Sequence, residues 1–152
     1  PWLADPLIVS AIKAQNLAHA GISRDTVRTL DQKWRAEVEA DQHPMISALL
    51  ANPLSEFLKQ KQEESEGAIT EIIVMDEHGL NVGLSDPTTD YWQGDEEKFI
   101  RSYGAGADGL FIDVAEKDQS TQMLQSQASL TIVDEAGKPI GALTVGVNLD
   151  QL

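Results

Sequence analysis

Apolar residues recur at helical spacing as far as about residue 62 and at strand spacing from about residue 69, so the chain divides into a helical first part and a mixed second part. Asp5 and Pro6 read as an N-cap and first helical residue, and Gly21 as the residue past the end, which predicts a first helix over 7–20. Ser23 caps a second. There Val27, Leu30, Trp34 and Val38 form one stripe, with Arg28, Asp31, Arg35 and Glu39 outside it. Pro44 opens a short helix carrying Met45, Ile46, Leu49 and Leu50. Asn52-Pro53 starts another with Leu54, Phe57 and Leu58, which runs out in the polar stretch 59–67.

The β-branched run 69–75, a turn ending in Gly79, and the stretch 80–85 predict two strands around a tight turn. Asp86 to Asp90 is a turn cluster, and Asp95 reads as the cap of a short helix with Phe99, Ile100 and Tyr103 facing inward. Strands follow at 110–114, 123–133 and 139–149, the last two joined as a hairpin by 134–138. This order predicts an α+β fold: a five-stranded antiparallel sheet with a long N-terminal helical arm on one face and a loop and short-helix lid on the other. Its 152 residues suit one domain, an arm over 1–67 and a core over 68–152, and can bury about two-thirds of the unfolded chain's surface.

Alternation assigns the faces of the hairpin. Gln125, Gln127, Ser129 and Thr131 share one side with Ala142, Thr144, Gly146 and Asn148, while Leu143, Val145, Val147 and Leu149 share the apolar side. The polar side holds no charge, where a merely solvated sheet face would carry several. Neutral polar and small residues under a loop suit a pocket for a small polar ligand, although Gln, Ser and Thr are also ordinary exposed strand residues.

A net charge of −14 repels phosphate backbones and anionic headgroups, which excludes nucleic-acid and membrane-surface binding. The absence of Cys removes disulfides, thiolate metal sites and Cys nucleophiles. No apolar run of membrane-spanning length and no signal-peptide pattern occurs, so the expectation is either a cytosolic protein or one separated from its targeting or anchoring segments.

Gly104-Ala-Gly-Ala-Asp-Gly109 spells the dinucleotide fingerprint in the wrong context, since a helix precedes it and a strand follows. His19, His43 and His78 lack metal-ligand spacing, and the acidic cluster Asp113 to Asp118 lacks the calcium loop's glycine and terminal glutamate. No hydrolase elbow is present. Neither an enzyme nor a bound cofactor is expected.

The stretch 85–103 differs from these strings. Tyr91 and Trp92 are adjacent in a loop of an aromatic-poor chain, and Lys98 and Arg101 follow at short helical spacing. Aromatic walls with a cation suit a small carboxylate. Alternatively, the rings plug the end of the core while the cations pair with Glu96, Glu97 or solvent.

The strand-turn-strand 72–79 with Ser85-Asp-Pro87, then Tyr91-Trp92, and the closing pattern 130–147 resemble the Cache sensor domains, the PAS-like extracytoplasmic modules of bacterial chemoreceptors and sensor kinases. The resemblance implies a small-molecule receptor, with the ligand between the sheet and the segment 86–104. By family position, Tyr91, Trp92, Lys98 and Arg101 lie in the pocket-forming stretch and Gln125 and Gln127 on its floor, with Ser85, Tyr103, Phe111 and Asp113 as second-tier candidates. No acid singles itself out against an ammonium group, which favours a carboxylate without an amine. The resemblance further implies an extracytoplasmic location, joined to a membrane only through segments outside this chain. Two other readings stand: a free-standing periplasmic binding protein, and a degenerate module kept for homodimerisation through the N-terminal helices.

Overall fold

The computed structural model describes residues 2–117 and 122–151. Asp118, the last acid of the cluster noted above, and the terminal residues Pro1 and Leu152 lie outside them.

Four helices come first: α1 (Pro6–Ala18), α2 (Arg24–Val38), α3 (Pro44–Leu50) and α4 (Pro53–Glu64). Their starts follow the sequence signals. The side chains of Asp5, Ser23 and Asn52 accept the backbone N–H of Leu7, Thr26 and Ser55, supplying partners that a first helical turn lacks. At α3 the cap comes from elsewhere in the chain, because the buried Glu37 carboxylate accepts the Ile46 N–H at 3.0 Å.

Strands β1 (Ile69–Met75) and β2 (Asn81–Leu84) precede a one-turn helix α5 (Glu97–Ile100). Then come β3 (Leu110–Ile112), β4 (Glu116–Lys117), β5 (Leu124–Val133) and β6 (Pro139–Asn148). All pairings are antiparallel, in the order β2-β1-β6-β5-β3, with β4 pairing β5 beyond the end of β3. Both hairpin turns use one device. Asp76 Oδ1 accepts the N–H of His78 and Leu80, Asp134 Oδ1 accepts those of Ala136 and Lys138, and Gly79 and Gly137 take the positive φ.

Two apolar clusters form, one on each face. Ile72, Val74, Ile132 and Leu143 pack against Ile8 and Ile12 of α1 and Leu54 and Leu58 of α4. On the opposite face Ile73, Met75 and Ala142 pack against Trp34 of α2, Ile46 of α3, Tyr91 and Phe99. The arm therefore divides, with α1 and α4 on one face and the inner residues of α2 and α3 in the second cluster.

Several details depart from the sequence reading. Val38 is 41% exposed because the core ends one turn before α2 does. Ile100 is 51% exposed because a one-turn helix that buries Phe99 must turn its neighbour outward. The residue at the α5 N-cap is Glu96, and its side chain makes no cap bond. Asp31 is not on the solvent side of α2: its Oδ1 accepts the Tyr91 and Trp92 N–H groups at 2.9 and 3.0 Å.

Candidate functional site

The strand registers set up rows of side chains across the second face. Met75, Ala142 and Thr131 form one, and Ile73, Thr144, Ser129 and Phe111 the next. Glu71, Gly146 and Gln127 form a third, which the Asp113 N–H extends by donating to the Gln127 carbonyl at 2.8 Å. Helices and lid cover the first two rows. In the third, the apolar residues of β1 give way to Glu71 and the sheet face opens as a cleft of about 160 Å³.

Gln125, Gln127, Thr70 and Gly146 line this cleft, together with the carboxylates of Glu71, Asp113 and Glu116. Each is placed by a local feature. The β1–β6 register shifts between Ile69 and Glu71, bringing Thr70 over β6, where a Cβ on Gly146 would stand 2.4 Å from the Thr70 hydroxyl. Gln127 donates to Glu71 Oε2 at 2.7 Å and fixes that carboxylate on the floor. Between β3 and β4 the edge leaves regular pairing at Asp113. Its carbonyl accepts the Ser126 hydroxyl at 2.8 Å, and its own Oδ1 accepts the Val114 N–H. The broken edge forms one wall of the cleft.

One row up from Asp113, the Arg101 guanidinium lies 4.9 Å over the Phe111 ring and 3.8 Å from its ion-pair partner Glu97. Same-face neighbours along a strand are about 7 Å apart. The arrangement thus places carboxylates at the cleft and a half-solvated guanidinium one residue pair away, a polarity that suits a small molecule with an ammonium at one end and an anionic group at the other.

The sequence candidates fall into three groups. Gln125, Gln127 and Asp113 line the cleft, with Phe111 and Arg101 beside it. Tyr91, Tyr103 and Ser85 are built into packing. Tyr91 stacks on Trp34 with ring centroids 5.4 Å apart, and burial, helped by the Asp76 charge, pushes its phenol up to about 12. Tyr103 stacks on Phe99 at 5.0 Å and is likewise raised by burial. The Ser85 hydroxyl accepts the Ile72 N–H at 2.7 Å and joins the ends of β1 and β2. Trp92 and Lys98 face elsewhere: the Trp92 indole donates to the His78 carbonyl at 2.9 Å, and Lys98 Nζ lies 4.0 Å from Glu96. The upper space between sheet and lid is filled by Tyr91, Phe99 and Trp34.

Sequence reasoning missed Glu71. Its signal was available, because period-two alternation along β1 puts it on the face of Ile73 and Met75, where a charge is out of pattern.

No protein-family model matches the chain, and no curated protein does. Among solved structures, the chain resembles the extracellular domain of rpHK1S-Z16, a protein designated a histidine kinase: 18% identity, TM-score 0.51, covering 93% of this chain and 54% of that one. It is also similar to the sensor domain of the Vibrio cholerae histidine kinase DctB, at 14% identity and TM-score 0.46 over 95% of this chain and 53% of that one. A third similarity is to the ligand-binding domain of the Campylobacter jejuni chemoreceptor Tlp3, at 15% identity and TM-score 0.46 over 97% of this chain and 62% of that one. The chain spans a little over half the length of these domains. At such identities the likeness concerns the fold. The fold shared with the extracellular domain of rpHK1S-Z16 is α+β, as the sequence leads one to expect. Among the described residues no helix is long and apolar enough to cross a membrane.

Proposed function

We propose that this chain is a sensory module, arm and core together, that presents its cleft outside the cytoplasm and recognises a small metabolite carrying both an ammonium and a carboxylate. The observation that carries the reading is the Glu71 carboxylate, held by Gln127 in a row whose β5 and β6 positions are neutral and whose far end brings the Asp113 and Glu116 carboxylates to the same cleft. Glu71 and Asp113 supply acceptors for an ammonium group, Gln125 and Thr70 supply neutral polar contacts, and Arg101 attracts the carboxylate. The expected carboxylate ligand therefore gains an amine, for which the sheet supplies the acid. Signal transmission follows from differential affinity. A ligand that binds better when the β3–β4 edge is drawn toward β1 shifts the population of that arrangement, and β6 and the helical arm carry the change to an output outside this chain.

The test is thermal unfolding with amino acids, simple amines and amine-free dicarboxylates such as succinate. A ligand present at 100 times its dissociation constant adds about 2.7 kcal/mol and raises the midpoint by about 5–10 °C in a chain of this size. Amino acids should stabilise the protein, succinate should not, and Glu71→Gln should weaken the effective amino acid by about tenfold or more. Stabilisation by succinate alone would restore the amine-free reading. No response from any of them, with dimers in solution that the arm helices hold together, would favour the dimerisation module.

A further inference from the structure

A second cavity lies away from the cleft, where the start of α2 meets the β1–β2 turn and the lid. Its volume is about 490 Å³, and Ile22, Val27, Trp92, His78, Arg24 and Arg28 line it, with Asp31 and Asp95. Nothing in the sensing role of the cleft uses these residues.

The walls are apolar and rigid. The Trp92 indole is clamped by its bond to the His78 carbonyl, and its ring edge crosses Gly94 so closely that a Cβ there would stand 2.4 Å from Trp92 Nε1. Gly79 and Gly94 also touch across the turn, where a Cβ on Gly79 would come within 2.5 Å of Gly94 Cα. A wall of this kind costs little to order on binding. Ile22 and Val27 face it from the α2 side.

The charges are unbalanced in a way the fold does not explain. Arg24 and Arg28 are one turn apart, so they share a helix face and repel. Arg24 has no ion pair among the described residues. Arg28 has only Asp25 at 3.8 Å, with both side chains at least 70% exposed. The acid that the cavity shares with them, Asp31, is already engaged by Arg35 at 2.8 Å and by two backbone N–H groups. Asp95 is exposed at the rim. The positive end of α2 adds to the same local potential. Beside this, the buried Nδ1 of His78 has no hydrogen-bond partner. In a chain of net charge −14, a cavity with one unpaired and one loosely paired guanidinium, an orphaned imidazole nitrogen and an aromatic wall is an exception to its own surface.

We propose that this cavity is a second ligand site, for a small monocarboxylate bearing an aryl or branched-alkyl body. The apolar part packs on Trp92, Ile22 and Val27, and the carboxylate bridges Arg24 and Arg28, which removes their mutual repulsion. The site is independent of the cleft at Glu71 and stands or falls separately from it.

Phenylacetate is the probe, followed through the indole N–H resonances of the three tryptophans, Trp2, Trp34 and Trp92, in 15N-labelled protein. The Trp92 resonance should shift saturably while that of Trp34, buried in the second cluster, stays in place. Phenylacetamide, the neutral isostere, should bind about tenfold more weakly, as should phenylacetate to the Arg24→Gln/Arg28→Gln double variant. Both arginines are exposed, so that variant keeps the fold, and Asp95→Asn, which removes the rim acid, should tighten binding. Equal binding of acid and amide, unchanged affinity in the double variant, the absence of a saturable Trp92 shift, or loss of binding in Glu71→Gln instead would each overturn the proposal.

Discussion

Single atoms decide two features of this molecule. At Gly146 a methyl group would meet the Thr70 hydroxyl at 2.4 Å and Glu71 Cγ at 3.1 Å, so Gly146→Ala must push β1 away from β6 at the row that carries Glu71. Overpacking of this kind costs about 1–3 kcal/mol. The variant should unfold at lower denaturant and bind the cleft ligand more weakly than its stability loss alone explains; full affinity in a destabilised Gly146→Ala would show that Glu71 is not part of the site. At Asp31, burial works against the charge, but hydrogen bonds from Arg35 and from the Trp92 and Tyr91 N–H groups outweigh it and hold the carboxyl below its usual 3.8. Its folded value lies below its unfolded one. The stability it contributes is therefore present above about pH 4 and is lost as pH falls through the folded value. Asp31→Asn should cost about 1–3 kcal/mol at neutral pH, and the gap from the parent protein should narrow in acid. A gap that is constant from neutral pH to about pH 3 would mean that the ionised carboxylate is not what anchors the lid.

At the scale of elements, local chemistry was legible and distant chemistry was not. The caps at Asp5, Ser23 and Asn52 and the Asp-x-x-Gly turns act within a few residues, so the chain announces them. The role of Asp31 spans sixty residues to Tyr91, and the cap of α3 comes from Glu37 through the tertiary fold; no spacing reveals either. The two hairpins followed from their turns, but the pairing of β1 with β6 and the added strand β4 did not, and β3 is three residues where five were expected, since pairing stops where Asp113 turns its carbonyl to Ser126. The cleft owes its wall to that interruption, which no spacing predicts; Gln125, Gln127 and Asp113 were legible through the family resemblance, and Glu71 only as a charge out of pattern on the inner face of β1. The same short edge leaves Leu110, Ile112 and Val114 exposed at 64, 68 and 77%. An edge this apolar promotes association between copies. Ile112→Lys should leave the unfolding free energy within about 0.5 kcal/mol of the parent and reduce concentration-dependent association in sedimentation velocity; association unchanged by Ile112→Lys would place the contact elsewhere, such as on the N-terminal helices.

The whole molecule carries a charge of −14, and two of its half-buried acids resist ionisation. Burial raises Asp90, with Arg35 pulling the other way and Asp31 adding to the rise, and burial likewise raises Glu96 against the opposing pull of Lys98. For these two groups the folded value lies above the unfolded one. Their ionisation is costlier in the folded protein, so stability returns as pH falls toward the folded values, the reverse of Asp31. Self-repulsion acts in the same direction, because every acid that protonates lowers the net charge. The unfolding midpoint at low salt should therefore rise as pH falls from neutral toward the raised values of Asp90 and Glu96, and fall below about pH 4, where the Asp31 bonds are lost. Added salt should raise it most at the alkaline end, through screening. A midpoint at low salt that stays flat or falls all the way from neutral pH to about pH 4 would mean that neither repulsion nor the raised acids governs stability. The field has a counterpart in recognition. It draws ammonium-bearing molecules toward the cleft and opposes the approach of simple anions, so salt should slow association of an amino acid with a net positive charge and speed that of phenylacetate, which must reach Arg24 and Arg28 against the field of the rest of the chain.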